Sequence, residues 1–86
     1  MRDPQAHVRF AFFRDGRLTS LPRRRAYLLA VCAELAERFE PGRRYREPEV
    51  NDILGYDAPD PATLRRLLVD EGFLEREPGT YWRPTG

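Results

Sequence analysis

Arginine carries most of the chemistry that this sequence could perform. All fifteen basic residues are arginine and none is lysine. A guanidinium group binds a phosphate or a carboxylate through two donors at once. Six arginines form two clusters, one at the start of a predicted helix and one in the loop that follows it, and both clusters are candidate nucleic-acid-binding sites. They are Arg23, Arg24, Arg25, Arg43, Arg44 and Arg46.

The charge is distributed unevenly along the chain. Residues 1–46 hold eleven arginines and five acidic residues, a net +6, whereas residues 47–86 hold four arginines and nine acidic residues, a net −5. The arginine clusters are therefore candidates for binding phosphate, and the alternative is that they pair with Glu47, Glu49 or Asp52. Because cations are mildly unfavourable at the positive end of a helix, the run that begins at Arg23 favours some compensating contact.

A second candidate site lies on the third predicted helix. Thr63, Arg65 and Arg66 are the polar positions between its leucines, and an arginine there could contact a guanine edge or a phosphate. The alternative is that these side chains face solvent and pair with Asp70 or Glu71. The acidic balance of this half of the chain opposes DNA binding, because a phosphate surface would be repelled.

The last strand adds Tyr81, Trp82 and Arg83. Aromatic rings could stack on bases, and Arg83 is a further candidate nucleic-acid contact. More often one ring of such a pair lies in the core and the other on the surface. We predict that Trp82 is the ring that packs.

Catalysis and metal binding are not predicted. One cysteine and one histidine, Cys32 and His7, cannot assemble a zinc site. Cys32 lies in an apolar helix with no histidine at helical spacing to activate it, so we predict a buried, unreactive thiol. The acidic residues near Glu47 lack other ligands and are read as a solvated face. No cofactor is predicted, and the chain is not expected to be an enzyme.

Eighty-six residues predict a single domain over 1–86 with an ordered core of about 8–83, because a chain this short cannot divide its core. The longest near-apolar run has eight residues, 26–33, against the about 20 needed to cross a bilayer. No secretory signal pattern opens the sequence. We therefore expect no membrane partner and a cytoplasmic location.

The elements that must position these residues can be predicted in order. The aromatic and β-branched run 8–13, with Asp15-Gly16 after it, predicts a short N-terminal hairpin. Residues 23–39 lack glycine and proline and repeat apolar side chains at helical spacing. The apolar surface of this helix is wide, so the helix is either central in the domain or offers a second face to a partner. A homodimer is predicted on the latter view, with Tyr27, Leu29 or Ala33 near the contact.

Two short helices and a hairpin follow. Proline and acids start a helix at Glu47 that stops at Gly55, and Asp60-Pro61 caps a third helix that ends at Gly72. Residues 73–83 then form two strands around a Pro78-Gly79 turn. Three helices with a C-terminal hairpin wing and a short N-terminal hairpin predict an α+β fold of winged helix-turn-helix type.

Several runs of residues are also similar to bacterial domain of unknown function family 2087, over roughly residues 10–83. The matching runs are Leu21-Pro22, Phe39-Glu40-Pro41-Gly42-Arg43-Arg44-Tyr45, Glu47-Pro48-Glu49-Val50-Asn51, Ile53-Leu54, Asp60, Thr63-Leu64-Arg65-Arg66-Leu67-Leu68-Val69-Asp70, Gly72-Phe73-Leu74 and Tyr81-Trp82-Arg83. Domains of this family occur alone or attached to helix-turn-helix regulators. The resemblance implies a role in transcription regulation, and it brings no catalytic or ligand residues with it.

The sequence therefore predicts a small regulatory module that binds nucleic acid. The alternative is a protein-interaction or dimerisation module that acts on a transcription regulator without touching nucleic acid. The spatial arrangement of the arginines discriminates between them: convergence of both clusters with Arg65 and Arg66 on one face favours nucleic acid, and segregation opposite the acids favours a protein partner.

Overall fold

Four helices and two small antiparallel sheets make up the part of the chain that the computed structural model describes, residues 3–85. The elements are α1 (Pro4–Phe12), β1 (Phe13–Arg14), β2 (Arg17–Leu18), α2 (Arg25–Ala36), β3 (Arg44–Arg46), α3 (Glu47–Ile53), α4 (Pro61–Asp70), β4 (Glu75–Glu77) and β5 (Thr80–Trp82). The mixed α+β class is confirmed. The prediction of three helices is wrong, because Pro4–Phe12 form a fourth helix that includes most of the predicted strand 8–13.

Helix α1 replaces most of the predicted first strand. The Asp3 side chain accepts a hydrogen bond from the Gln5 backbone N–H at 3.1 Å, and Pro4 occupies the first turn, where a missing N–H costs nothing. Val8 is fully buried. Only Phe13 and Arg14 are extended, and they pair with β2 around a turn at Asp15-Gly16, as predicted.

Helix α2 is shorter than the predicted span of 23–39, since it begins at Arg25 and ends at Ala36. It buries Val31, Cys32 and Leu35 and contacts α1 and α4. The central alternative is therefore confirmed.

Part of the wide apolar surface of α2 packs against α1 of the same chain. His7 of α1 lies against Tyr27, with 4.7 Å between ring centroids. Gln5 of α1 also donates a hydrogen bond to Glu34 at 2.8 Å. Leu29 and Ala33 are half-buried. Much of the surface that motivated the homodimer prediction is thus covered by α1, a helix that the sequence reading did not include.

Helices α3 and α4 form the predicted pair of short helices. The Asp60 carboxylate accepts hydrogen bonds from the Thr63 N–H at 2.8 Å and the Thr63 hydroxyl at 2.9 Å. These bonds hold the pKa of Asp60 below its ordinary value. Leu64 and Leu68 are fully buried. The cap and the apolar stripe of α4 are as predicted.

The second sheet has the strand order β3-β5-β4, and both pairs are antiparallel. Tyr45 lies opposite Tyr81, and both rings are buried. Trp82 lies opposite Arg44 and is only half-buried. The prediction that Trp82 packs is wrong, because side chains alternate between the two faces of a strand and the register directs Tyr81 inward.

Within residues 3–85, no helix has the length and the apolar character needed to span a bilayer.

Candidate nucleic-acid interface

The three arginines of the first cluster, Arg23, Arg24 and Arg25, differ in their contacts. Arg25 binds the Glu71 carboxylate through both guanidinium ends, at 2.7 and 3.2 Å, and so joins the start of α2 to the end of α4. This hydrogen-bonded pair raises the pKa of Arg25. Arg23 and Arg24 are exposed, and neither lies within 4.0 Å of a carboxylate oxygen of residues 3–85.

The second cluster is largely neutralised by acids of the same chain. Arg44 lies 3.1 Å from the Glu77 carboxylate and stacks over Trp82, 4.0 Å from the ring centroid. Arg43 lies 3.9 Å from Glu49. Arg43 is also 3.9 Å from Glu40. Its contact with Glu49 agrees with the predicted alternative of pairing with Glu47, Glu49 or Asp52, whereas Glu77, the partner of Arg44, is not one of those acids.

Arg46 and Arg83 have different surroundings. Arg46 is exposed, and its backbone N–H donates to Glu49 at 3.0 Å. The Arg83 guanidinium donates to the carbonyl oxygens of Ala36 at 3.4 Å and Phe39 at 3.2 Å. Arg83 thus satisfies carbonyls at the end of α2, where a cation also complements the helix dipole.

On α4, two of the three predicted site residues are engaged in structure. Thr63 bonds the capping carboxylate described above. Arg65 is part-buried, donates to the Asn51 side chain and lies 3.2 Å from the Glu47 carboxylate. Its guanidinium also lies 5.8 Å from the Tyr81 ring centroid. Arg65 consequently connects α4 to α3 and β5.

Arg66 differs from Arg65 because it is exposed. It lines a cleft of about 120 Å³ between α4 and the β4–β5 hairpin. Arg76 of β4 enters the same cleft, with its guanidinium 5.6 Å from the Tyr81 ring centroid. In the described part of the chain, neither Arg66 nor Arg76 has a carboxylate oxygen within 4.0 Å. The other lining residues are Glu47, Arg65, Val69, Asp70 and Tyr81.

Arg76 was missed at the sequence level, although a signal for it exists. It lies opposite Tyr81 in the sheet, whereas its neighbours Glu75 and Glu77 lie opposite Trp82 and Thr80. Alternation along β4 therefore turns Arg76 toward the face of Tyr81 and turns both acids toward the other face. Reading β4 as an alternating strand would have separated this arginine from the acids.

The predicted site residues do not form one set, and the pairing of several of them with acids is the arrangement that the sequence analysis associates with a protein partner. Arg25, Arg44 and Arg43 are bound to or lie near acids of the second half of the chain. The unequal charges of the two halves therefore partly neutralise each other across the fold. The arginines without an acidic partner in residues 3–85 lie at several places, and two of them, Arg66 and Arg76, line one cleft.

Comparison with known proteins gives one match. A family model described as an uncharacterized protein conserved in bacteria (DUF2087) matches residues 17–83. Helix α1 and strand β1 precede the matched region. No curated protein and no solved structure matches the chain.

Proposed function

The chain belongs to the DUF2087 family, as its sequence motifs predict, and we propose that it is a regulatory winged-helix module that binds nucleic acid. Helix α4 and the β4–β5 hairpin form the contact. One observation carries the proposal: two exposed arginines, Arg66 and Arg76, line a single cleft between that helix and that hairpin. Guanidinium groups so placed fit the phosphates of a nucleic acid backbone.

The order of elements supports this proposal. From α2 onward, the chain runs helix, strand, helix, helix and two hairpin strands, and the strands join in the order β3-β5-β4. This is the order of a winged helix-turn-helix domain, in which the second helix of the turn enters the major groove. The exposed residues of α4 are Ala62, Thr63, Arg66 and Asp70.

The acidic balance of the second half is a weaker objection than the sequence suggested. Glu75 and Glu77 share the outer face of the sheet with Trp82, and Glu77 is paired with Arg44. The hairpin therefore contributes Arg76, and neither of these acids, to the cleft. Two acids, Asp70 and Glu47, remain in the cleft, and Glu47 is paired with Arg65.

The test is a titration of short duplex DNA of random sequence at several salt concentrations between about 50 and 200 mM. The variant Arg66→Ala/Arg76→Ala is expected to bind about tenfold more weakly. Its salt slope should be smaller by about 2, because each phosphate contact contributes close to one unit. A matched control, Arg43→Ala/Arg44→Ala, removes the same charge from arginines that already have acidic neighbours, and a change below about threefold is expected.

Two results contradict this proposal. One is a wild-type chain with no salt-dependent affinity for DNA or RNA. The other is an equal loss in the two double variants, since that pattern reports only net charge.

Exposed aromatic rings favour a second candidate function, a protein-interaction module. Phe10 on α1 is 90% exposed and Tyr56 after α3 is 77% exposed, and aromatic residues are enriched at protein interfaces. Self-association is the form of this function that is tested most directly. A mass above that of the monomer at high protein concentration, by light scattering, together with its loss in Phe10→Glu, supports it. A monomeric mass argues against self-association.

A further inference from the structure

A second pair of arginines lies on the β1–β2 hairpin. Arg14 and Arg17 are directly opposite each other across the two strands, and both are exposed. Like charges in this arrangement destabilise a strand pair. Neither guanidinium lies within 4.0 Å of a carboxylate oxygen anywhere in residues 3–85, the adjacent Asp15 included. Within residues 3–85, no carboxylate therefore offsets the like charges of this pair.

An aromatic ring adjoins this pair. The Arg17 guanidinium lies over the ring of Tyr56, 4.8 Å from its centroid, and Tyr56 is one of the most exposed large side chains. Tyr56 lies in the loop between α3 and α4. We call Arg14, Arg17 and Tyr56 the hairpin patch.

Hydrogen bonds hold the β1–β2 hairpin, which carries Arg14 and Arg17, against the loop that carries Tyr56. The Leu18 N–H donates to the Asp57 carboxylate at 2.7 Å, and the Ala58 N–H donates to the Leu18 carbonyl at 2.9 Å. Arg38 joins the two elements as well, since it binds Asp57 and also donates to the Gly16 carbonyl at 2.9 Å. The hairpin and the loop are thus held together on both sides of Arg17, which limits the freedom that binding would otherwise remove.

We propose that the hairpin patch is a second contact for the nucleic acid backbone, in addition to the cleft of Arg66 and Arg76. This inference rests on the proposed function. The loop that carries Tyr56 continues directly to Asp60, the cap of α4, so the chain joins the patch to the start of that helix. Paired guanidiniums bind phosphate, and an exposed ring beside them offers a stacking surface for a base or sugar.

An acidic peptide is the alternative ligand for the hairpin patch, because it carries the same sign of charge as a phosphate backbone. The nucleic acid is favoured because the exposed ring of Tyr56 adds a flat aromatic face on which a base can stack.

The experiment compares three double variants in the same titration of random duplex DNA. Arg14→Ala/Arg17→Ala is expected to bind about tenfold more weakly than wild type, with a salt slope smaller by 1 to about 2. Arg66→Ala/Arg76→Ala should show a loss of similar size, and Arg43→Ala/Arg44→Ala should bind nearly as wild type does. Urea unfolding of each variant shows that it is folded. Polyglutamate replaces DNA in a parallel arm.

The outcomes separate the two proposals. Loss of DNA binding in both the cleft and the patch variants supports both. If only the cleft variant loses DNA binding, the inference about the hairpin patch is overturned and the proposed function stands. A patch variant that loses polyglutamate binding while it keeps DNA binding also overturns the inference, in favour of an acidic peptide. Absence of salt-dependent binding by wild type to DNA and RNA overturns both proposals.

Discussion

In two places in this molecule, an arginine guanidinium lies between a helix and a hairpin. In one place it is bound by acceptors of the same chain, and in the other it has no carboxylate partner in the described residues. At the junction of α2, the β1–β2 hairpin and the α3–α4 loop, Arg38 donates to the Asp57 carboxylate and to the carbonyls of Ile53 and Gly16. In the cleft between α4 and β4, Arg66 and Arg76 have no such carboxylate partner in the described chain.

The contrast shows what an arginine does in each place. A guanidinium whose donors are satisfied by buried acceptors holds elements together and is not available to a ligand. An exposed guanidinium without an acidic partner contributes little to stability and is available for an anion. The most obvious runs of arginine in the sequence, at residues 23–25 and 43–46, contain no clear member of the first kind, since Arg25, Arg43 and Arg44 are exposed but have acidic neighbours.

The largest effect is expected from breaking the junction. Asp57→Ala leaves the Leu18 N–H and the Arg38 guanidinium without their carboxylate, and removing one partner of a buried pair costs about 3 kcal/mol. Urea unfolding measures the loss. The matched control is Glu77→Ala, which breaks an exposed pair with Arg44 and should cost less than about 1 kcal/mol. Similar losses in both variants would remove the distinction between the two kinds of pair.

The labelling rate of the Cys32 thiol provides a second measurement of how firmly the core is closed. Cys32 is fully buried, and burial raises the pKa of its thiol to about 12. An unfolded thiol has a pKa of about 8.5, and only the thiolate reacts. Near pH 8 we therefore expect labelling at least about a hundredfold slower in the native state than in urea. Equal rates in the two states contradict this prediction.

The two substitutions above should change that labelling rate differently. Labelling of a buried thiol follows the population of opened molecules when closing is fast. A loss of about 3 kcal/mol raises that population about a hundredfold, so Asp57→Ala should speed native labelling by up to that factor. Glu77→Ala should change it by less than about fivefold. A slow rate in Asp57→Ala would place Cys32 outside the region that the junction stabilises.

Local patterns were enough to predict much of the fold. Asp60-Pro61 predicts the start of α4, and Pro78-Gly79 predicts the turn of the second hairpin; Gly79 has the positive φ of 76° that this turn requires. The same pattern, Asp3-Pro4, starts α1, but the aromatic run after it favoured a strand. Val8 is fully buried and α1 packs against α2, a tertiary contact that the local pattern does not contain.

The partners of the arginines were harder to predict from the sequence, because they are distant along the chain. Arg38 and Asp57 are 19 residues apart, and no spacing rule brings them together. The partner of Arg25 is 46 residues away. By contrast, the orientation of Arg76 follows from alternation along a three-residue strand and was accessible from the sequence.

The smallest expected effect concerns the hairpin, where the comparison predicts a conflict between stability and binding. Arg14→Glu replaces a like-charge pair with an opposite-charge pair facing Arg17, so it should raise the free energy of unfolding by about 0.2 to 1 kcal/mol. Arg14→Gln removes the repulsion without adding attraction and should give a smaller gain. Both are measured by urea unfolding at low salt. If Arg14 is retained for an anion, Arg14→Glu gains stability and loses DNA affinity together. A variant that is less stable than wild type shows instead that Arg14 supports the fold, and the hairpin then belongs with the junction of Arg38.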